Sequence, residues 1–158
     1  DFCLNLGGIS NISFTKNGKR LAFDISACNM LLNTLANEAG LLYDDQGKLA
    51  RSGITDEKLL QELNAPPFFT ESYPKSLGKE WVLEHSLKTL SAYSSLPLQD
   101  RLHTTSHHIA LQIKHALPLL TNKTHRVLVT GGGAFNTFLM ELLQEQQPSL
   151  DRVLFLGN

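Results

Sequence analysis

Three short apolar segments open the chain, and two turn signals separate them. Residues 2–6, 10–15 and 20–25 are rich in Leu, Ile and Phe. Gly7-Gly8 divides the first pair, and Asn17-Gly18 divides the second. Asn and Gly both tolerate positive φ, so Asn-Gly between apolar runs favours a tight hairpin. The opening is therefore expected to be an antiparallel three-strand meander. Near the other end, residues 126–130 read as a strand rich in β-branched side chains. Gly131-Gly132-Gly133 follow, helical spacing resumes over 134–146, and 153–156 reads as a last strand. Between these ends, Met30, Leu31, Leu35 and Ala39 mark a helix over 29–39 that stops at Gly40. Thr55 is a candidate N-cap for a helix over 56–63. Pro66, Pro67, Pro74 and Gly78 make 64–78 an irregular loop. Residues 79–90 look helical. A longer helix presents Leu102, Ile109, Ile113, Ala116 and Leu117 on one face and stops at Pro118. A meander, then helices, then a βαβ unit is an α/β order.

The bulk properties narrow the functional class. The chain has 158 residues, a length that favours one domain. Its formal net charge of −1 gives no electrostatic case for nucleic acid or an anionic membrane. No apolar run approaches the roughly 20 residues a membrane helix needs. The two cysteines, Cys3 and Cys28, form no CxxC pair, which favours a reduced cytoplasmic protein.

Chemistry-bearing residues gather at the two glycine clusters and at one aspartate. In Asn5-Leu6-Gly7-Gly8-Ile9-Ser10-Asn11, the glycines allow backbone amides to approach phosphate oxygens, or simply make a hairpin turn. Gly131-Gly132-Gly133 sits between a strand and a helix, where free amides and the positive end of the helix dipole can meet a nucleotide, or where the glycines simply make a tight βα turn. It is not GxGxxG, so a dinucleotide site is a poor match. Asp24 ends the third strand, placed either as a general base or as a cap. His103, His107, His108 and His115 share one helix, but no companion motif makes a metal site, and a polar face is the better reading.

Five stretches in order resemble the anhydro-N-acetylmuramic acid kinase family, within the superfamily of sugar kinases, Hsp70 and actin. Residues 5–11 (NLGGISN) look like its second phosphate-binding hairpin. Phe23-Asp24 through Asn29 sits where the family has FDTGPGN. Residues 43–53 (YDDQGKLARSG) are similar to YDxxGxxAxxG, and 74–80 (PKSLGKE) to PKSTGRE. Residues 127–140 (VLVTGGGAFNTFLM) resemble VxxGGGxxNxxLM. The resemblance implies an actin-like ATPase domain, related to ribonuclease H. It implies ATP and Mg²⁺ as cofactors and 1,6-anhydro-N-acetylmuramic acid as substrate. Gly7, Gly8, Ser10 and Asn11 would face the β/γ-phosphates. Gly131, Gly132, Gly133 and Asn136 would flank adenosine. Asp24 would be the catalytic base, and Asn29 would bind the sugar.

Ile25-Ser26-Ala27-Cys28 depart from the family's Thr-Gly-Pro-Gly. The family's N-terminal MSGTSxDG loop does not occur in these residues. Residues 1–158 are therefore expected to be the second domain of a two-domain kinase, truncated at both ends and inactive alone. Its main partner would be the missing N-terminal half, and a homodimer is compatible with it. Two other readings stay open: a kinase of the same superfamily with another substrate, and a non-catalytic nucleotide-binding or interaction domain.

Overall fold

The computed structural model describes residues 2–117, 127–146 and 153–155. The meander is present as β1 (Phe2–Leu6), β2 (Ile9–Lys16) and β3 (Lys19–Ala27). Asn17 and Gly18 both adopt positive φ, at 51° and 73°, as their turn demands. β4 (Val127–Thr130) lies parallel to β1, and β5 (Val153–Phe155) lies parallel to β4. The sheet order is β3-β2-β1-β4-β5. The parallel pairing of β1 with β4 positions the site, because it sets Gly7-Gly8 beside the three glycines after β4.

One sheet face carries the core. Leu4, Leu6, Ile12, Phe14, Ile25, Val127 and Val129 are buried there. They belong to one cluster with Leu31 and Leu35 of α1 (Asn29–Asn37) and with Leu102, Ile109 and Ile113 of α6 (Leu98–Ala116). Smaller helices close around α6: α2 (Lys48–Ser52), α3 (Glu57–Asn64) and α7 (Thr137–Gln146). Arg101, almost fully buried, pairs with Glu38 just beyond α1, one contact spanning 3.0 Å. Hydrogen bonding from that guanidinium holds the Glu38 carboxyl below its ordinary range.

β3 carries an irregularity. Ser10 pairs with Ser26 but Asn11 pairs with Asp24, so Ile25 is an extra residue. A bulge of this kind shifts the alternation of side chains. Phe23, Ile25 and Ser26 are all buried, while Asp24 is half-buried. β3 is an edge strand, and the loop over 66–78 covers it. The Asp24 amide donates to the Lys75 carbonyl at 3.0 Å, and Tyr73 stacks on Phe23 at 5.0 Å. Such cover removes an open strand edge.

Several boundaries differ from those expected. The cap of α3 is Asp56, whose carboxylate accepts from the Leu59 amide at 2.8 Å; Thr55 lies one residue too early to reach it. The helix expected over 79–90 is α4 (Lys79–Val82), a π-helical turn (Leu83–Leu87) and α5 (Lys88–Ala92). A 3₁₀ turn (Gly132–Phe135) precedes α7, so helix does not resume at Ala134. Arg126, Pro118 and Leu156 lie outside the described residues. Cys3 and Cys28 are both free.

His108 makes the fold sensitive to acid. It is fully buried, its Nδ1 contacts the Asn64 Oδ1 at 2.7 Å, and among the described residues its Nε2 has no hydrogen-bond partner. Burial pushes its pKa down from 6.5 to about 3. Between those values the unfolded chain binds a proton that the folded chain refuses. Stability therefore falls as pH drops through that window, at a limiting slope of about 1.4 kcal/mol per pH unit. Urea unfolding across the range is expected to show this loss, and His108→Gln is expected to flatten it. An unchanged slope in that variant would place the proton uptake elsewhere.

Candidate functional site

The two glycine turns meet at the C-terminal ends of β1 and β4. The Gly131 φ is +85°, and a Cβ there would fall 2.6 Å from the Asn5 Oδ1 and 2.7 Å from the Leu6 carbonyl oxygen. A Cβ on Gly133 would fall 2.7 Å from that of Leu6. Only glycine lets this turn lie so close to the end of β1. Asn5, half-buried between the turns, accepts a long bond from the Thr130 hydroxyl at 3.4 Å. Its Nδ2 lies toward Gly7, 3.2 Å from where a Cβ would stand.

The carbonyls of the Gly7-Gly8 turn point at α1. The Gly8 oxygen accepts from the Cys28 amide at 2.8 Å and the Met30 amide at 3.1 Å, and the Gly7 oxygen accepts from the Asn29 amide at 3.1 Å. These bonds engage the first donors of α1, which would otherwise be free. The turn and the helix start are thus one unit. Cys28 sits inside it, and burial pushes its thiol up to about 12, so it is no nucleophile near neutral pH.

Beside this unit lies a cleft of about 480 Å³. Asn29 and Asn33 of α1, Tyr43, Gly132 and Phe135 line it, with Asn136 at its edge. Tyr43 and Phe135 are largely exposed aromatic rings. The loop carrying Tyr43 is fixed at both ends. Both Asp44 carboxylate oxygens accept amides of α2, from Leu49 and Ala50, each at 2.9 Å. Gly47, with φ +70°, packs so tightly that a Cβ would fall 2.4 Å from the Asn136 Oδ1. Asn136 itself caps α7, accepting from the Leu139 amide at 3.0 Å.

Asp24 belongs to a second group. Its Oδ2 accepts from the Leu77 amide at 2.8 Å and from the Ser76 hydroxyl at 3.1 Å. Among the described residues its Oδ1 takes no hydrogen bond. Asp24, Asn11, Asn5 and Thr130 occupy one register row across four strands. The loop over 74–80 is thus what orients the carboxylate.

The expected residues separate on this geometry. Gly7, Gly8, Gly131, Gly132, Gly133 and Asn29 come together, and Asn136 borders the same cleft. Asn11 lies in the row with Asp24. Ser10 does not join them. It is fully buried on the core side, with its hydroxyl 3.0 Å from both the Ser26 carbonyl and the Ser26 hydroxyl. Strand alternation puts Ser10 and Asn11 on opposite faces. Asn5, Ser76 and Leu77 were not singled out from the sequence as site residues. Asn5 lay in view inside the glycine motif, whereas the other two act on a residue more than fifty positions away.

A family model described as anhydro-N-acetylmuramic acid kinase matches residues 1–153. A relative of that name from Shewanella sp. (strain MR-4) is 36% identical over 98% of this chain. Another, from Hydrogenovibrio crunogenus, is 34% identical over 90% of it. The chain spans 43% and 40% of those relatives' own lengths. Among solved structures, it is similar to component A of the (R)-2-hydroxyglutaryl-CoA dehydratase of Acidaminococcus fermentans, with TM-score 0.55 and 16% identity. It is also similar to the activator of the Clostridium difficile 2-hydroxyisocaproyl-CoA dehydratase with bound ADPNP, with TM-score 0.56 and 12% identity. The chain covers 98% and 99% of itself in these matches, and 53% of each neighbour. The fold is the actin-like ATPase fold. No helix among the described residues is long and apolar enough to cross a membrane.

Proposed function

The chain belongs to the anhydro-N-acetylmuramic acid kinase family, and from that premise we propose that it is the nucleotide-holding domain of a kinase acting on 1,6-anhydro-N-acetylmuramic acid. One observation carries the proposal: two glycine turns from neighbouring strands are locked together beside a cleft with two exposed aromatic rings. The phosphates lie against Gly7-Gly8, and adenosine lies along Gly132 and Asn136 with its base over Phe135 or Tyr43. Glycines that exclude every Cβ at the turn fit a phosphate chain, and a cleft of about 480 Å³ fits a nucleoside. The C. difficile neighbour, which carries ADPNP, supports a nucleotide in this fold. The partner is the N-terminal half of the same protein, which closes the cleft from the other side. Residues 1–158 alone are expected to be inactive.

In this proposal Asp24 is the catalytic base. Its carboxylate, held on one oxygen by Ser76 and Leu77, takes a proton from water on the other. That water attacks the anomeric carbon, the bond from C1 to O6 breaks, and O6 takes the γ-phosphoryl group of ATP. The products are ADP and a ring-opened sugar 6-phosphate. Mg²⁺ entering with ATP would neutralise phosphate charge, needing few protein ligands of its own. This chain supplies amides and carboxamides around that charge.

ADP release by the full-length protein that depends on the anhydro sugar is the expected result. ADP release indifferent to the sugar, or none from folded protein, contradicts the proposal. Phe135→Ala is expected to raise the KM for ATP about 5- to 150-fold, since stacking a base on an aromatic ring contributes about 1–3 kcal/mol. An unchanged KM would take Phe135 out of the base site.

A further inference from the structure

Asn29 is the point where three elements join. Its main-chain amide donates to the Gly7 carbonyl at 3.1 Å, and its Nδ2 donates to the Leu6 carbonyl at 3.0 Å. Its carboxamide also stands over the triple-glycine turn. A Cβ on Gly132 would lie 3.4 Å from its Nδ2, and one on Gly133 would lie 3.3 Å from its Oδ1. The Leu6 carbonyl oxygen that Asn29 binds is also the atom a Cβ on Gly131 or Gly133 would meet, at 2.7 and 3.1 Å. One side chain therefore ties the end of β1, the start of α1 and the turn after β4. Its remaining surface faces the cleft lined by Tyr43 and Phe135. Asp24 faces a different set, the Ser76–Leu77 segment, which shares no residue with that lining.

We propose that Asn29 is a positioning residue for the nucleotide rather than a ligand of the sugar, fixing the spacing between the Gly7-Gly8 turn and the Gly131–Gly133 turn. This rests on the reading that the cleft holds ATP. The triphosphate and adenosine are covalently linked, so their two protein surfaces must be held at one separation. Small errors in such positioning cost affinity and rate steeply. The Asn29 carboxamide sets that separation through a donor on Leu6 and a surface against Gly132 and Gly133.

The test measures two affinities separately in the full-length protein: for a non-hydrolysable ATP analogue and for 1,6-anhydro-N-acetylmuramic acid. Asn29→Ala removes the tie. Asn29→Asp keeps its size but replaces the donor facing Leu6 with an acceptor. Both are expected to weaken nucleotide binding about tenfold or more, leaving the sugar affinity within about twofold. Asn29→Asp is the second variant in case the alanine fails to fold, and thermal unfolding reports on both. Weakened sugar binding with nucleotide unchanged would make Asn29 a sugar ligand. Equal loss of both, or loss of neither, would also overturn the inference. If the unsubstituted protein binds no nucleotide, the kinase reading itself fails.

Discussion

Asp24→Asn in the full-length protein is expected to lower sugar-dependent ADP formation by about 10²- to 10⁴-fold, with both substrates still bound. The substitution keeps shape but removes the carboxylate proposed to take a proton from water. Its structural cost is small. Oδ2 is an acceptor for Ser76 and Leu77 at 3.1 and 2.8 Å, and an Asn oxygen can take its place. The amide nitrogen then sits where Oδ1 was, which has no partner among the described residues to lose. The effect should therefore fall on kcat, with the KM for ATP little changed. Near-normal turnover would remove Asp24 from the mechanism. A variant that unfolds would show instead that its carboxylate holds the 74–80 loop in place.

Gly131→Ala has the largest expected effect on the fold and on nucleotide binding. Its φ of +85° combined with ψ of 168° is open essentially only to glycine. The added Cβ would also meet the Leu6 carbonyl oxygen at 2.7 Å and its carbon at 2.8 Å. Those atoms belong to Leu6, which pairs with Ser10 of β2 and directly follows the β1 residues paired with β4, and they cannot move without disturbing that pairing. Strain and overlap together should cost roughly 3 kcal/mol or more. Gly132→Ala is the internal comparison: its Cβ would meet only the Asn29 Nδ2, at an ordinary 3.4 Å. Urea unfolding should separate the two variants. Equal behaviour would mean the close approach of the turn to Leu6 is not what the three glycines provide.

The meander was legible in the sequence because Asn17-Gly18 has local backbone requirements, and the strand after Pro118 because Val127 and Val129 alternate. The burial of Ser10 was legible as well: Ile12 and Phe14 follow it at period two, which places its hydroxyl on the core face. The resemblance to a phosphate hairpin outweighed that pattern. The bulge at Ile25 was not legible. It depends on β2 and β3 resuming register on either side of one extra residue, a property of the pair rather than of either strand. The residues that depart from the family motif are buried beside this bulge. Ile25, Ser26, Ala27 and Cys28 are all at most 2% exposed, so they fill the core and do not line the cleft. The 3₁₀ turn after Gly131 also escaped sequence reasoning, since the capping of α7 by Asn136 depends on Gly47 packing against it from a distant loop. Ser76 and Leu77 could be tied to Asp24 only once β3 and the 66–78 loop were seen side by side.

In the proposed function the nucleotide spans the two glycine turns. A crystal structure of the full-length protein with a non-hydrolysable ATP analogue tests this most directly. The phosphates are expected against the Gly7-Gly8 turn and the adenosine along Gly132, Phe135 and Asn136, with Asn29 bound to the Leu6 carbonyl between them. A nucleotide seated away from both glycine turns, or one whose phosphates approach Gly131–Gly133 while its base lies at Gly7-Gly8, would contradict it.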